Sequence, residues 1–517
     1  MPEILFQKIQ QKITSAQKVC FFTAVFVGIF AHFYKLTNWL PNWDSLVFRY
    51  DDQNMIALGR WFLPVVCSFS SFFDLPFLSG ILAIFFHGLG AVCICKIFDI
   101  QKKMTAGLIG GFLVSFPTVT SVMMYGYVAD GYSIAFFLAC LSAYFMTREK
   151  PNWILGALLL SFSVGIYQAY LTVTVMLLLL FLTDRLIFQK EDGISVLKKG
   201  LKMLLFGFLG MVLYYLILTV VMTLSHTKLL EYQGLSSAGS VEVFDLWDSL
   251  HTVKETFVTY FFDFSRGLRL FPVWNVLIVG LTAFFYIRYG IKNKVYTAPL
   301  KIVLLILLGL FLILGGTILA FLNAHIDYHN LMLMGYSVFY LFFILLYERG
   351  EETKTTILMG KCWTVFLVVF VLMTNQVVLA NVGYHKAQIA YEKSYGMLIR
   401  IADRLEQTPE AEDCSRILVI GALENSEDYS VNFPPDLTGI TDGYILRADD
   451  ETVGQSVLCS ALNDYCDKDY TFLFGEEKQA FLKKQEVLAM NLWPQKDSIQ
   501  VIDDVIVLKL SYEEASK

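Results

Sequence analysis

Apolar runs of about 20 residues, the length that crosses a hydrocarbon core, recur through the first three quarters of the chain. They fall at 18–37, 74–98, 104–122, 131–147, 152–165, 167–184, 201–224, 272–289, 299–322, 331–347 and 361–380. Each reads as a helix, because lipid offers an isolated segment no other way to satisfy its backbone N–H and C=O groups. The fifth and sixth windows form one uncharged stretch, WILGALLLSFSVGIYQAYLTVTVMLLLLFL. It reads as one tilted helix, or as two short ones meeting at Gly165–Tyr170. Flanking charges choose the second: Arg148/Lys150 and Arg185/Lys190 both read as inside, which demands an even number of crossings.

Beyond residue 380 the pattern changes. Residues 386–406 keep a helical period, while 416–423 (RILVIGAL), 470–475 (YTFLFG) and 499–510 (IQVIDDVIVLKL) are strand-like. The predicted fold class is therefore mainly α: a polytopic membrane protein with about eleven transmembrane helices over 1–380, and a small α/β domain over 381–517. No internal repeat or low-complexity segment is visible.

Composition agrees. The chain is 56% hydrophobic and only 17% charged, with mean hydropathy +0.56, against roughly 25% charged in soluble domains. That excludes an ordinary cytosolic enzyme or a disordered protein. Residues 1–380 hold 27 Lys and Arg against 21 Asp and Glu, whereas residues 381–517 hold 13 against 25. Nucleic acid is not an expected partner of so acidic a tail, since phosphate backbones require Lys/Arg patches.

The basic residues also set an orientation. Twenty fall on one side of the predicted helices, while only seven (Lys35, Arg49, Arg60, Lys228, Lys254, Arg266 and Arg269) fall on the other. The positive-inside rule places the N-terminus in the cytoplasm and the tail outside, in a cell membrane. The polar start, MPEILFQKIQQKITSAQKVC, does not read as a cleavable signal, so the first span is expected to be retained. Cys20, Cys67, Cys93, Cys95, Cys140 and Cys362 lie in or beside apolar runs as small hydrophobes. Cys414, Cys459 and Cys466 allow at most one disulfide in the tail.

The larger loops of the membrane part, 38–73 and 225–271, face outside. The first contains Asp44, Arg49, Tyr50, Asp51, Asp52, Gly59, Arg60 and Trp61. If 48–61 is helical, Arg49, Asp52 and Arg60 share a face. A carboxylate set among cations there could take a proton from an attacking hydroxyl, while the cations offset charge on a departing phosphate. The plain alternative is a solvated loop. Arg266 and Arg269 before the eighth window could hold a phosphate, or snorkel to lipid headgroups.

Gln168, between Tyr167 and Tyr170, interrupts an apolar run, and such groups need partners or a water-lined cavity. Amides and hydroxyls suit sugar hydroxyls; interfacial tyrosine is the plain alternative. His325, Asp327 and His329 lie at an outer span end. On a helix the two histidines would share a face. The trio leaves a divalent metal open, but no third strong ligand is near, and phosphate contact or a plain interfacial role ranks higher. Asp130 reads as a helix cap, and His87 as a packing histidine. No GxxxxGK[ST] loop is present, and the one Asp-x-Asp, at Asp467 and Asp469, lies in the outer tail, so a nucleotide-driven enzyme is not expected.

A first span, an outer loop with Arg49-Tyr50-Asp51-Asp52 and Gly59-Arg60, then Gly165-Ile-Tyr167-Gln168-Ala-Tyr170 at an embedded turn, resembles the Gtr type II glucosyltransferase domain family of bacteria and phages, over about residues 15–400. That resemblance implies a GT-C-like fold and a polyprenyl-phosphate sugar donor, typically undecaprenyl-phosphate glucose. It implies transfer on the outer face to a surface polysaccharide or glycolipid, as in O-antigen or teichoic acid modification. It implies an acidic base in the first outer loop, which maps onto Asp52 or Asp51, with Asp44 a weaker third. The donor phosphate would fall to Arg49, Arg60, Arg266, Arg269 and His329, and the sugar or acceptor to Asp44, Tyr167, Gln168, Tyr170 and His325. No resident cofactor follows. The competing readings are a flippase for a lipid-linked sugar and a GT-C enzyme of different sugar specificity. The few charges within the spans and the absence of repeated halves weigh against a transporter.

Overall fold

The computed structural model describes residues 3–4, 13–42, 44–45, 55–230, 246–262, 270–349, 356–421, 451–466 and 468–512. The chain divides into two compact units. One comprises Met1–Trp39, Tyr50–Val382 and Pro435–Ile440; the other comprises Leu40–Arg49, Gly383–Pro434 and Thr441–Lys517.

The first unit is helical: α1 (Ser15–Thr37), α2 (Leu63–Cys67), α3 (Pro76–Ile97), α4 (Lys103–Ser115), α5 (Pro117–Met124), α6 (Ala129–Thr147), α7 (Trp153–Ile166), α8 (Leu171–Ile187), α9 (Gly193–Leu224), α10 (Leu246–Phe262), α11 (Leu270–Lys292), α12 (Pro299–Leu314), α13 (Tyr336–Glu348) and the start of α14 (Thr356–Glu406). A capping box opens α1: the Thr14 hydroxyl accepts from Gln17 N, and the Gln17 side chain accepts from Thr14 N, both at 3.2 Å. Helix α1 packs on α3 and α4, α3 on α6, α6 on α7, and α7 on α9. Small residues let these backbones approach: a Cβ at Gly110 of α4 would lie 2.2 Å from the Cys20 carbonyl oxygen of α1. The outer faces remain apolar; Leu204, Phe208, Tyr215 and Leu216 of α9 are exposed, as lipid-facing side chains must be.

All eleven apolar windows fall on helices, but the span count is lower by length. Among the described residues, eight helices are long and apolar enough to cross a membrane, or nine if the bent pair α4–α5 is one span. The bend is 42° and falls at Pro117, which lacks an N–H and clashes with the preceding turn. The uncharged 152–184 stretch is two helices: Tyr167 is extended (φ −155°, ψ 120°), and Gln168–Tyr170 forms a 3-10 turn before α8. Helices α7 and α13, of 14 and 13 residues, are short of the usual crossing length.

A buried ion pair ties three helix ends on the side where the basic residues gather. Arg349, just past α13, binds Asp184 of α8 bidentately (Nε–Oδ1 2.8 Å, Nη2–Oδ2 2.9 Å), and its Nη2 also donates to the Phe98 carbonyl at the end of α3. Beside it, the Glu348 carboxylate accepts from Gln101 N at 2.9 Å, and Lys102 Nζ donates to the Tyr347 and Glu348 carbonyls at 3.1 Å.

The second unit is mixed α/β, and its strands fall within the runs read as strand-like. Strands β1 (Arg416–Ile420), β2 (Thr471–Phe472), β3 (Ile499–Ile502) and β4 (Val505–Lys509) form a sheet of order β2-β1-β4-β3. Strand β1 is parallel to β2 and β4, while β3 and β4 are antiparallel. The 499–510 run is thus a hairpin. Its two turn residues, Asp503 and Asp504, have φ of 49° and 58°, the left-handed geometry that follows strand twist. Leu418, Ile420, Leu473, Phe481, Val505 and Val507 are core residues, flanked by α15 (Glu451–Cys466), α16 (Gly475–Leu482) and α17 (Gln485–Ala489). Cys414 and Cys459 are free thiols.

Replacing Arg349 by Met leaves Asp184, only 4% exposed, as an unpaired buried charge. A loss of about 3–5 kcal/mol is expected, read as a lower thermal midpoint in detergent, with partial recovery when Asp184→Asn is added.

Candidate functional site

Two of the motifs that carry the resemblance, Gly59-Arg60 and Gly165–Tyr170, meet in space. From Met55 the chain makes turns rather than the helix entertained for 48–61: Gly59 has φ 74°, and Arg60 N donates to the Met55 carbonyl at 2.8 Å. The Gly-Arg step reverses the chain here, so Arg60 itself is not on a helix; Arg49 and Asp52 lie outside the described residues. The loop is held by the break between α7 and α8. Phe62 N donates to the Gly165 carbonyl at 2.8 Å. Gln168 Nε2 donates to the Leu58 carbonyl at 2.9 Å and approaches Tyr214 OH at 3.3 Å, while Tyr214 OH donates to the Gly59 carbonyl at 3.0 Å. Gly165 is required by this contact, since a Cβ there would lie 2.5 Å from the Trp61 indole.

Arg60 therefore has a defined position. Its Nη1 donates to Tyr132 OH at 3.1 Å, and its guanidinium lies 4.9 Å from the centre of the Tyr167 ring. Tyr132 and Tyr167 stack with centroids 4.6 Å apart. Tyr170 is buried, edge-on to Tyr167 at 6.0 Å and near Phe136.

A second feature comes from the long 225–271 loop, where the sequence reading placed no helix. Helix α10 presents Asp248, His251, Thr252, Glu255, Thr256, Thr259 and Tyr260 at steps of three and four, one continuous polar stripe. Its other face is apolar: Val253 and Phe261 are buried, and Phe261 packs on Tyr336 and Phe339 at 5.2 and 5.5 Å. Ser249 and Thr252 donate to the Ala320 and Ala324 carbonyls at 2.8 and 2.6 Å, which fixes the helix against the segment after α12.

Between that stripe and residues 324–330 lies a cavity of about 760 Å³. Its far wall carries His325, Asp327, Tyr328, His329 and Asn330. This wall is not the helix assumed for the two histidines; 322–329 is turn and extended chain, with His329 at φ −103°, ψ 163°. It is pinned by Tyr328 OH donating to the Thr317 carbonyl (2.8 Å), Asn330 Nδ2 to Ser121 Oγ (3.1 Å) and Thr118 Oγ1 to the Asn330 carbonyl (2.8 Å). These bonds, rather than helical spacing, bring His325 and His329 to one cavity. Among the described residues, no three His, Cys, Asp or Glu side chains converge to hold a metal ion.

Burial lowers the pKa of His329 below its ordinary 6.5, and the Arg60 charge lowers it further, against a raising contribution from Asp327. The imidazole is thus neutral at pH 7 and sits within electrostatic reach of Arg60. A neutral imidazole can accept one proton or donate one N–H, but brings no positive charge to a phosphate.

Of the other sequence candidates, Asp44 is half-buried and belongs to the second unit. Arg49, Asp51, Asp52, Arg266 and Arg269 lie outside the described residues. Asp130 lies in the first turn of α6 and accepts from Gly131 N at 3.0 Å, but the N-cap is Val128 and no side chain caps the helix, so the expected capping role is not what the structure shows; His87 bonds the Ala83 carbonyl and stacks on Phe136 at 4.8 Å. The α10 stripe is the group that sequence reasoning missed, although its period was visible.

These features define a class: a multi-pass membrane protein with an arginine-bearing loop and a polar cavity set among apolar helices. A family model described as Glucosyl transferase GtrII matches residues 33–372, well over half of the chain, and the chain belongs to that family. It is accordingly a membrane glycosyltransferase, with a sugar donor, an acceptor and the bilayer as its partners. No curated protein and no solved structure matches it.

Two outcomes follow. Gly165→Ala forces the Trp61 indole away from the α7–α8 break, and a cost of about 1–3 kcal/mol in stability is expected, measured by thermal unfolding alongside activity. The His329 resonance should titrate below 6.5 in histidine-labelled protein. Because the fold holds that ring neutral, acidification from pH 7 through this range is expected to reduce stability; the unfolded chain then binds the proton more readily.

Proposed function

We propose that the protein moves a sugar, glucose being the family's expected one, from a polyprenyl-phosphate donor to a cell-surface glycan on the outer face of the membrane. In this reading residues 1–380 form a GT-C-like transferase domain with eleven crossings, α7 and α13 included, in a bacterial plasma membrane. The N-terminus is cytoplasmic, and residues 381–517 form an accessory domain outside. The observation that carries the reading is the placement of Arg60. The Gly59–Trp61 loop is locked onto the α7–α8 break, and its arginine is held by Tyr132 and Tyr167 within electrostatic reach of His329.

The prenyl chain enters between apolar helices, and Arg60, with Arg49, Arg266 and Arg269, balances charge on the phosphate. Asp52, or its neighbour Asp51, takes the proton of the acceptor hydroxyl as the anomeric carbon acquires oxocarbenium character. The hydroxyl oxygen bonds that carbon from the face opposite the departing prenyl phosphate, so the configuration inverts.

Asp52→Asn and Asp51→Asn, assayed at matched membrane expression with a labelled lipid-linked sugar, are expected to lower the transfer rate about 10²–10⁴-fold at whichever position is the base. Full activity in both removes the assignment. Arg60→Ala is expected to raise the donor KM, and NMR of the product to show the anomer opposite to the donor's.

A further inference from the structure

We infer that the polar face of α10 receives the acceptor, and that it selects an uncharged, hydroxyl-rich stretch of glycan and rejects phosphodiester polymers. The inference deepens the glycosyltransferase reading and rests on it.

The argument is one of hydrogen-bond supply. Asp248 and Glu255 on the stripe and Asp327 opposite are carboxylates, which only accept. Thr252 and Thr256 already donate their hydroxyl protons, to the Ala324 and Thr252 carbonyls, so toward the cavity they offer lone pairs. A lining this rich in acceptors calls for a ligand that brings donors. Sugar hydroxyls do, while a phosphodiester brings none and adds negative charge. Among the described lining residues there is no Lys or Arg to receive it.

His251 and Glu255 reach open space. His251 and Glu255 stand 3.5 Å apart with 63% and 66% of their surfaces exposed, so neither is committed to the core. At about 760 Å³ the cavity lies within the range of small-molecule sites, about 300–1,000 Å³, room for a few sugar units. His329, on the far wall, feels the Arg60 charge. In this reading the cation serves the departing phosphate, and the acceptor-rich lining serves the incoming glycan.

The test uses membranes containing the full-length protein, a radiolabelled polyprenyl-phosphate sugar and surface polymers from the producing cell. Label is expected in polymer whose size survives cold aqueous hydrofluoric acid, which cleaves phosphodiesters. Label in polymer that this treatment depolymerises overturns the inference while leaving the transferase reading intact. No label in any polymer removes the transferase reading, and the inference with it. Within an active preparation, Glu255→Lys and Thr259→Val are expected to raise the acceptor KM, by about tenfold or more for the lysine, with kcat falling less. Both positions are exposed, so folding is spared. An unchanged acceptor KM in both variants also overturns the proposal.

Discussion

Backbone at a membrane face cannot be left without hydrogen-bond partners, and the whole site depends on how this chain meets that demand. The turn at 55–61 exposes carbonyls at Leu58 and Gly59; Gln168 and Tyr214 cap them, and Gly165 receives Phe62 N. Those bonds need the helix break at Tyr167, because only a broken helix frees the Gly165 carbonyl to accept from outside. Loop and break are thus one unit: neither is stable at that depth alone, and together they fix the position of Arg60. The polar residues of the GIYQAY stretch serve this assembly first. Gln168 has its amide nitrogen committed to the loop, and Tyr167 supplies the face on which the guanidinium rests.

The rest of the site is built by a different economy. Helix α10 lies against the bundle by one face and keeps the other polar, and a few hydroxyl-to-carbonyl bonds set its rotation. The loop opposite has no regular structure, so its position comes from side chains: Tyr328, Asn330 and Thr118 each tie it to a different neighbour. Rigid apolar packing below and a pinned loop above leave a cavity whose chemistry is set by residues that carry little of the fold's stability.

Much of the fold was legible because lipid imposes a uniform length and polarity on every crossing. Each apolar window landed on a helix, and the flanking charges chose two helices for 152–184. What resisted reading were the local departures. Pro117 stood in plain view, yet hydropathy averages across it. Helix α10 was hidden because a window average over mixed polar and apolar faces looks like a loop; only the three-and-four spacing of Asp248, His251, Thr252, Glu255, Thr256 and Thr259 reveals it. His325 and His329 were placed together for the wrong reason: they share a cavity through tertiary bonds that no spacing encodes. The pairing of Gly59-Arg60 with GIYQAY was recognisable as a pattern, but its cause, carbonyls in need of donors, became visible only in three dimensions.

The way α10 is anchored has an evolutionary corollary. Ser249 and Thr252 lock its rotation, and each residue inserted or deleted between Thr252 and Glu255 would turn the stripe beyond by about 100°, driving Glu255 into the aromatic packing around Phe339. Indels are therefore barred from this segment, whereas substitutions on its wet side disturb almost no packing. Such a helix behaves as a keyboard with a fixed frame: the side chains on its wet face can be exchanged while the membrane architecture stays untouched.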